Sequence, residues 1–250
     1  MVTRPYYYAD SYEYAHSILN HIEGKPAPLF WESGHFLWRP IGTILYDLFH
    51  PVARVFVGNS SFALVSAILL FTVLLLTAVG IFFFYRFLRL FPISEMAVQI
   101  GVLFYVVSGC VLNYSQTATS YQAGLSILIV AVYYNAVGPD SPKVFQIIRN
   151  SILLALPPLL WLPYVLVLPA VVLARPLVYG WNRLRVKNSF YTGFFCVIAA
   201  ICLLSPVIFR FHLFTYPAFM HWAFYDWGLA SNVGPIRTIF GLPKALFYLG

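Results

Sequence analysis

Charge is what this sequence has least of. Only 9% of its 250 residues are Asp, Glu, Lys or Arg, while 61% are hydrophobic; a soluble domain carries about a quarter charged residues. So small a polar share cannot cover a globule in water. With a mean hydropathy of +0.80, the chain reads as an integral membrane protein and not as a soluble enzyme or binding module. Cysteine is scarce as well. Cys110, Cys196 and Cys202 fall in apolar runs and lack the spacing of a zinc site or a redox pair, which makes them small hydrophobes buried in lipid. No basic run interleaved with aromatics stands on a soluble segment, so the net charge of +7 does not indicate a nucleic-acid partner. Membrane topology accounts for it better.

Long apolar runs are abundant, and a bilayer core needs roughly 20 apolar residues per helix. The stretch "SFALVSAILLFTVLLLTAVGIFFF" (61–84) supplies them without one charge. Spans are further expected near 96–113, 121–137, 144–160, 163–179 and 190–209, with an incomplete one at 236–250. Residues 144–177 could form a single span, but Pro157, Pro158, Pro163 and Pro169 interrupt it. Two short helices meeting near Pro157 to Pro163 put Arg86, Arg89, Lys143, Arg149, Arg175, Arg183, Arg185 and Lys187 on one side, which the positive-inside rule makes cytoplasmic. The expected fold is all-α: a polytopic membrane bundle of six to seven spans over 61–250, truncated at its C-terminus, with an external loop of amphipathic helices over 1–60.

Five of the eight acids (Asp10, Glu13, Glu23, Glu32 and Asp47) lie in that external segment. Met1 leads almost directly into it, so a first span is expected upstream. At 100° per residue, Asp10, Glu13, Ser17, Asn20 and His21 share one helix face, and Ser11, Ala15, Ile18, Leu19 and Ile22 the other. The pattern predicts an amphipathic helix resting on the membrane surface, with its polar stripe either a solvated face or a site. Downstream, "FWESGHFLWRPIGTILYDLFH" adds His35, Arg39 and Tyr46. Acid, histidine and guanidinium on one surface suit a sugar and a phosphate together.

The order "ADSYEYAHSIL", "GHFLWRPIGTILYDLF", a long span, a basic turn and a helical pair joined by "NYSQTATSYQAGLSILI" resembles membrane glycosyltransferases of the GT-C superfamily. It is most similar to bacterial relatives of protein O-mannosyltransferases, over about residues 5–210. The resemblance implies a polyprenyl-phosphate-linked sugar as donor, an acceptor hydroxyl of unknown identity, and inverting transfer at the external face of a bacterial cytoplasmic membrane. By match of motif, Asp10 is the general base, and Glu13 orients the acceptor or shares a divalent metal, although no three-ligand spacing supports one. His35 and Arg39 are the expected partners of the leaving phosphate. Tyr114, Gln116 and Tyr121 are candidate sugar contacts, and Arg210 and His212, with His221 and Asp226 nearby, candidate donor-head contacts; packing at helix ends and interfaces is the plainer account of all of these. Thr119 and Ser120 stand where the relatives carry a second acid. Two other readings stay open, a transporter or flippase-like protein and a non-catalytic scaffold of GT-C ancestry.

Overall fold

A computed structural model describes residues 9–27, 30–139 and 142–224, and these form helices with no strand among them. The elements are α1 (Ala9–Ile22), a 3₁₀ turn (Ser33–His35), α2 (Trp38–Val57), α3 (Ser61–Leu88), α4 (Glu95–Val106), α5 (Gly109–Tyr114), α6 (Ser120–Val137), α7 (Val144–Leu160), a second 3₁₀ stretch (Leu162–Val167), α8 (Leu168–Val172), α9 (Ala174–Tyr179), α10 (Arg183–Arg210) and α11 (Tyr216–Phe224). Short polar caps divide the apolar runs. Ser60, Ser94 and Ser108 accept the N–H of Ala63, Ala97 and Val111 and so start α3, α4 and α5. Gly58, at φ 87°, ends α2.

Among the described residues, four stretches are long and apolar enough to cross a membrane: Ser61–Leu88, Ser120–Val137, Leu162–Tyr179 and Arg183–Arg210. The described part of the molecule is thus an all-helical chain of membrane-protein character. Glu95–Val106 and Val144–Leu160 are apolar but shorter. Where the sequence predicts one helix over 96–113, the chain breaks at Ser108, whose hydroxyl starts a second helix. Pro157 and Pro158 sit inside the last turn of α7, and the break falls at Trp161, which is extended (φ −154°, ψ 107°). The expected segment at 236–250, Asp226 and the side chain of His221 lie outside the described residues.

The chain divides into two compact units, 1–203 and 204–250. In the first, α3 and α6 run side by side in the same direction, and α7 returns along α6. Gly80 is what lets α3 and α6 approach. A Cβ there would lie 2.8 Å from Ser126 Oγ and 3.0 Å from Ser126 Cα. One core cluster joins Tyr14, Ala15 and Ile18 of α1 to Trp38, Val65, Leu69, Val73, Ala118, Ala123 and Leu160. A second joins Leu128 and Ala131 to Leu154, Ala155, Val171 and Cys196.

Cations gather at the C-terminal end of α6. Arg86 donates to the Tyr133 hydroxyl (3.2 Å), Arg149 covers the Tyr134 ring at 4.2 Å, and Arg175 reaches the Ala136 carbonyl. Arg175 and Arg185 share the Tyr179 ring. Asn135, buried, donates to the carbonyls of Val171 and Val172 and ties α6 to the end of α8.

The backbone atom beside Gly80 cannot swing aside as a side chain could. Gly80→Ala is therefore expected to cost about 1–3 kcal/mol through forced separation of α3 and α6, read as a lowered midpoint of unfolding in detergent.

Candidate functional site

At the other end of α6 a polar cluster is assembled from four parts of the chain. The β-region backbone of Thr119 starts α6 at Ser120, so Tyr121 projects from its first turn. The Tyr121 hydroxyl donates a short hydrogen bond to Asp10 Oδ2 of α1. Tyr121 is itself held from several sides. Its carbonyl accepts from the Tyr164 hydroxyl (2.8 Å), and its ring meets His35, Tyr114 and Trp161 edge-on at 5.2–5.3 Å. Asp10 and Tyr121 are each half-buried, leaving the carboxylate at the boundary of the packed core.

His35 is buried behind this pair. Its Nδ1 lies 2.7 Å from Ser120 Oγ and 3.3 Å from the Leu160 carbonyl oxygen. A carbonyl only accepts, so Nδ1 carries the proton. Burial holds the imidazole below the ordinary histidine range, against the opposing pull of Glu32. The 3₁₀ turn is pinned to α7 by Leu37 N–H donating to the Leu159 carbonyl (3.0 Å). Trp38 follows, fully buried, with its indole N–H satisfied by the Ala118 carbonyl (2.9 Å); a buried side chain of this size contributes about 1.5–3 kcal/mol.

Arg39 is entirely buried, at 0% exposure. A charge so placed needs a partner. Glu32 supplies it, at 2.7 Å from Nη2, and the Tyr14 ring lies 4.8 Å below the guanidinium. Among the described residues Nε and Nη1 have no hydrogen-bond acceptor. Burial, reinforced by Tyr121, Asp10 and Glu32, pushes the Tyr14 phenol above its ordinary range, so it stays protonated.

The structure thus brings Asp10, His35, Arg39, Tyr114 and Tyr121 into one cluster. Glu13 is half-buried one turn along α1. Gln116 is exposed in the connection before α6, donating to the Leu112 carbonyl. Arg210 and His212 belong to the second unit, where both are exposed and His212 adopts a positive φ of 52°. No group of three His, Cys, Asp or Glu suited to a metal occurs among the described residues.

Two expectations about α1 change. Ser17, assigned to the polar stripe, is buried, and Ile22, assigned to the apolar face, is 38% exposed. The reason is that α1 packs against α2 and α3 on a face centred on Tyr14 and Ile18, so it is a core element as well as a surface one. Pattern reading also missed Glu32, Tyr14, Trp161 and Tyr164. For Glu32 a signal was present: a lone acid in "FWESGHFLWR" needs a cation, and Arg39 is the nearest one downstream.

Set against known proteins, the chain matches no family model, no curated protein and no solved structure.

Because folded His35 resists protonation, the unfolded chain binds the extra proton below pH about 6.5, the ordinary histidine value. Stability is accordingly expected to hold above that pH and to fall by up to about 1.4 kcal/mol per pH unit below it. Unfolding in detergent followed from neutral to mildly acidic pH, wild type against His35→Gln, should show a flatter profile in the variant.

Proposed function

We propose that this chain is a membrane glycosyltransferase that moves a sugar from a polyprenyl-phosphate donor to an acceptor hydroxyl, with Asp10 as general base. The observation that carries the proposal is the half-buried Asp10 carboxylate, clasped by Tyr121 at the end of α6 opposite Arg86, Arg149 and Arg175. A base must be held in a fixed direction yet remain reachable, and a carboxylate bonded through one oxygen meets both needs.

In the reaction the acceptor oxygen attacks the anomeric carbon as its proton passes to Asp10. The bond from that carbon to the phosphate oxygen breaks, and polyprenyl phosphate leaves with the electron pair. Inversion follows from attack opposite the leaving group. Tyr114, Tyr121 and Trp161 offer aromatic edges and faces to a sugar ring. Arg39 holds two buried nitrogens, Nε and Nη1, that lack an acceptor among the described residues, and these would serve an anionic oxygen of the donor if the site opens to admit it. His35, neutral by burial, orients Ser120 and the start of α6 and adds no charge. GT-C ancestry, the proposed orientation with this cluster outside, and a bacterial membrane complete the reading.

One observation favours a non-catalytic scaffold of the same ancestry: Ser120, where relatives carry a second acid, is buried and its hydroxyl is committed to His35. Transfer from radiolabelled polyprenyl-phosphate sugars, assayed with the full chain in membranes, separates the two. Asp10→Asn is expected to lower the rate about 10²- to 10⁴-fold with unchanged membrane abundance. Transfer that survives this substitution unaltered removes Asp10 as the base, and no transfer by the wild type with any donor favours the scaffold.

A further inference from the structure

Positive charge is in excess in the part of the chain that carries the helices of membrane-spanning length. Between residues 61 and 203 the sequence holds eight Lys and Arg against two acids, Glu95 and Asp140, so pairing within this stretch cannot neutralise it. The structure gathers the excess at one place. α6 packs against both α3 and α7, and near its end it presents Tyr133 and Tyr134, with rings 5.6 Å apart. Arg86 meets the first from α3, and Arg149 the second from α7. Neither guanidinium has a carboxylate within ion-pair distance among the described residues, and Glu95 is taken by Arg89 at 3.5 Å.

Both guanidiniums keep donors to spare. Arg149 lays one face on the Tyr134 ring and gives Nε and Nη2 to Asn150 Oδ1 (3.2 and 3.0 Å), which leaves Nη1. Arg86 gives Nη2 to the Tyr133 hydroxyl, and that phenol, used there as an acceptor, still has its own proton to donate. The flanking residues specify the anion. Arg86 ends an exposed stripe of α3 made of Leu75, Val79 and Phe82, and Arg149 stands between Phe145 and Ile152 on the exposed side of α7. Phe82 and Phe145 are 55% and 72% exposed, a surface suited to acyl chains. An anion that reaches these guanidiniums therefore sits at headgroup level with hydrocarbon attached. Phosphate matches the paired N–H donors of a guanidinium. A zwitterionic headgroup would bring a cation of its own into the same excess of positive charge, and an anionic one does not.

We propose that Arg86, Tyr133 and Arg149 form a headgroup site for an anionic phospholipid, with the phosphate on their N–H and O–H donors and the acyl chains along Phe82 and Phe145. The site lies at the end of α6 opposite Asp10 and does not depend on the transfer chemistry.

The test releases the full chain from nanodiscs of equal parts phosphatidylglycerol and phosphatidylcholine and reads the lipids it carries by native mass spectrometry. Phosphatidylglycerol is expected on the wild type several-fold more often than phosphatidylcholine. Arg86→Gln combined with Arg149→Gln should lower that preference several-fold. Lys143→Gln combined with Arg183→Gln removes the same charge from exposed positions and should leave most of it. Tyr133→Phe keeps the ring in place and should lower the preference too, which gives a reading even where the double variant does not fold. No preference in the wild type, equal loss from the two pairs of substitutions, a preference untouched by Tyr133→Phe, or displacement of the lipid by glycerol phosphate, the headgroup without its chains, would each overturn the proposal.

Discussion

The hydrogen bond from Tyr121 to Asp10 joins the part of the chain that carries the acids to the part that carries the helices of membrane-spanning length. Beside it, α1 is fastened to the bundle by hydrophobic packing and by the contacts of the Tyr14 ring with Arg39 and His35, which fix depth better than the direction of the carboxylate. A hydrogen bond to a carboxylate fixes the direction of one oxygen and contributes about 1.5–3 kcal/mol. Its strength of constraint comes from what holds the tyrosine: Tyr164 on its carbonyl, three aromatic neighbours, and the start of α6, which His35 steadies through Ser120. Helix-start chemistry, aromatic packing and the candidate base are thus one assembly.

Charge is segregated along the same helix. α6 has 18 residues, so its two ends are about 27 Å apart, close to the roughly 30 Å of a hydrocarbon core. Asp10, Glu32 and Arg39 cluster at its start, and Arg86, Arg149 and Arg175 at its end, the last group held by tyrosines and helix carbonyls. Charged groups excluded from hydrocarbon collect at the boundaries, and the helix between them is closely packed because Gly80 admits Ser126. The Arg39 guanidinium is the exception: it is buried, and among the described residues only its Nη2 has a hydrogen-bond partner, the partly exposed Glu32.

Much of this was legible in the sequence because it follows from composition. A run such as 61–84 admits little but a helix crossing apolar surroundings, and the proline cluster at 157–169 marks a break that the structure puts at Trp161. The grouping of Asp10 with His35, Arg39 and Tyr121 followed from motif order. Less legible was everything decided by tertiary packing. The wheel of α1 has two faces in isolation, but contact with α2 and α3 turns Ser17 inward and leaves Ile22 outward. His35 and Arg39 look like surface cations in the string of residues, and only the closing of the 3₁₀ turn against Leu159 and Leu160 makes one neutral and the other a buried ion. Ser108 divides a run that periodicity alone would continue, because a serine hydroxyl competes for the helix's backbone N–H groups.

The direct measurement of the central constraint is a double-mutant cycle on unfolding stability at neutral pH, comparing Asp10→Asn, Tyr121→Phe and both together. If the clasp is formed as described, the two substitutions are coupled by about 1.5–3 kcal/mol. Additive losses within about 0.5 kcal/mol would mean that the two residues do not hold one another, and the fixed carboxylate on which the proposed chemistry stands would be gone.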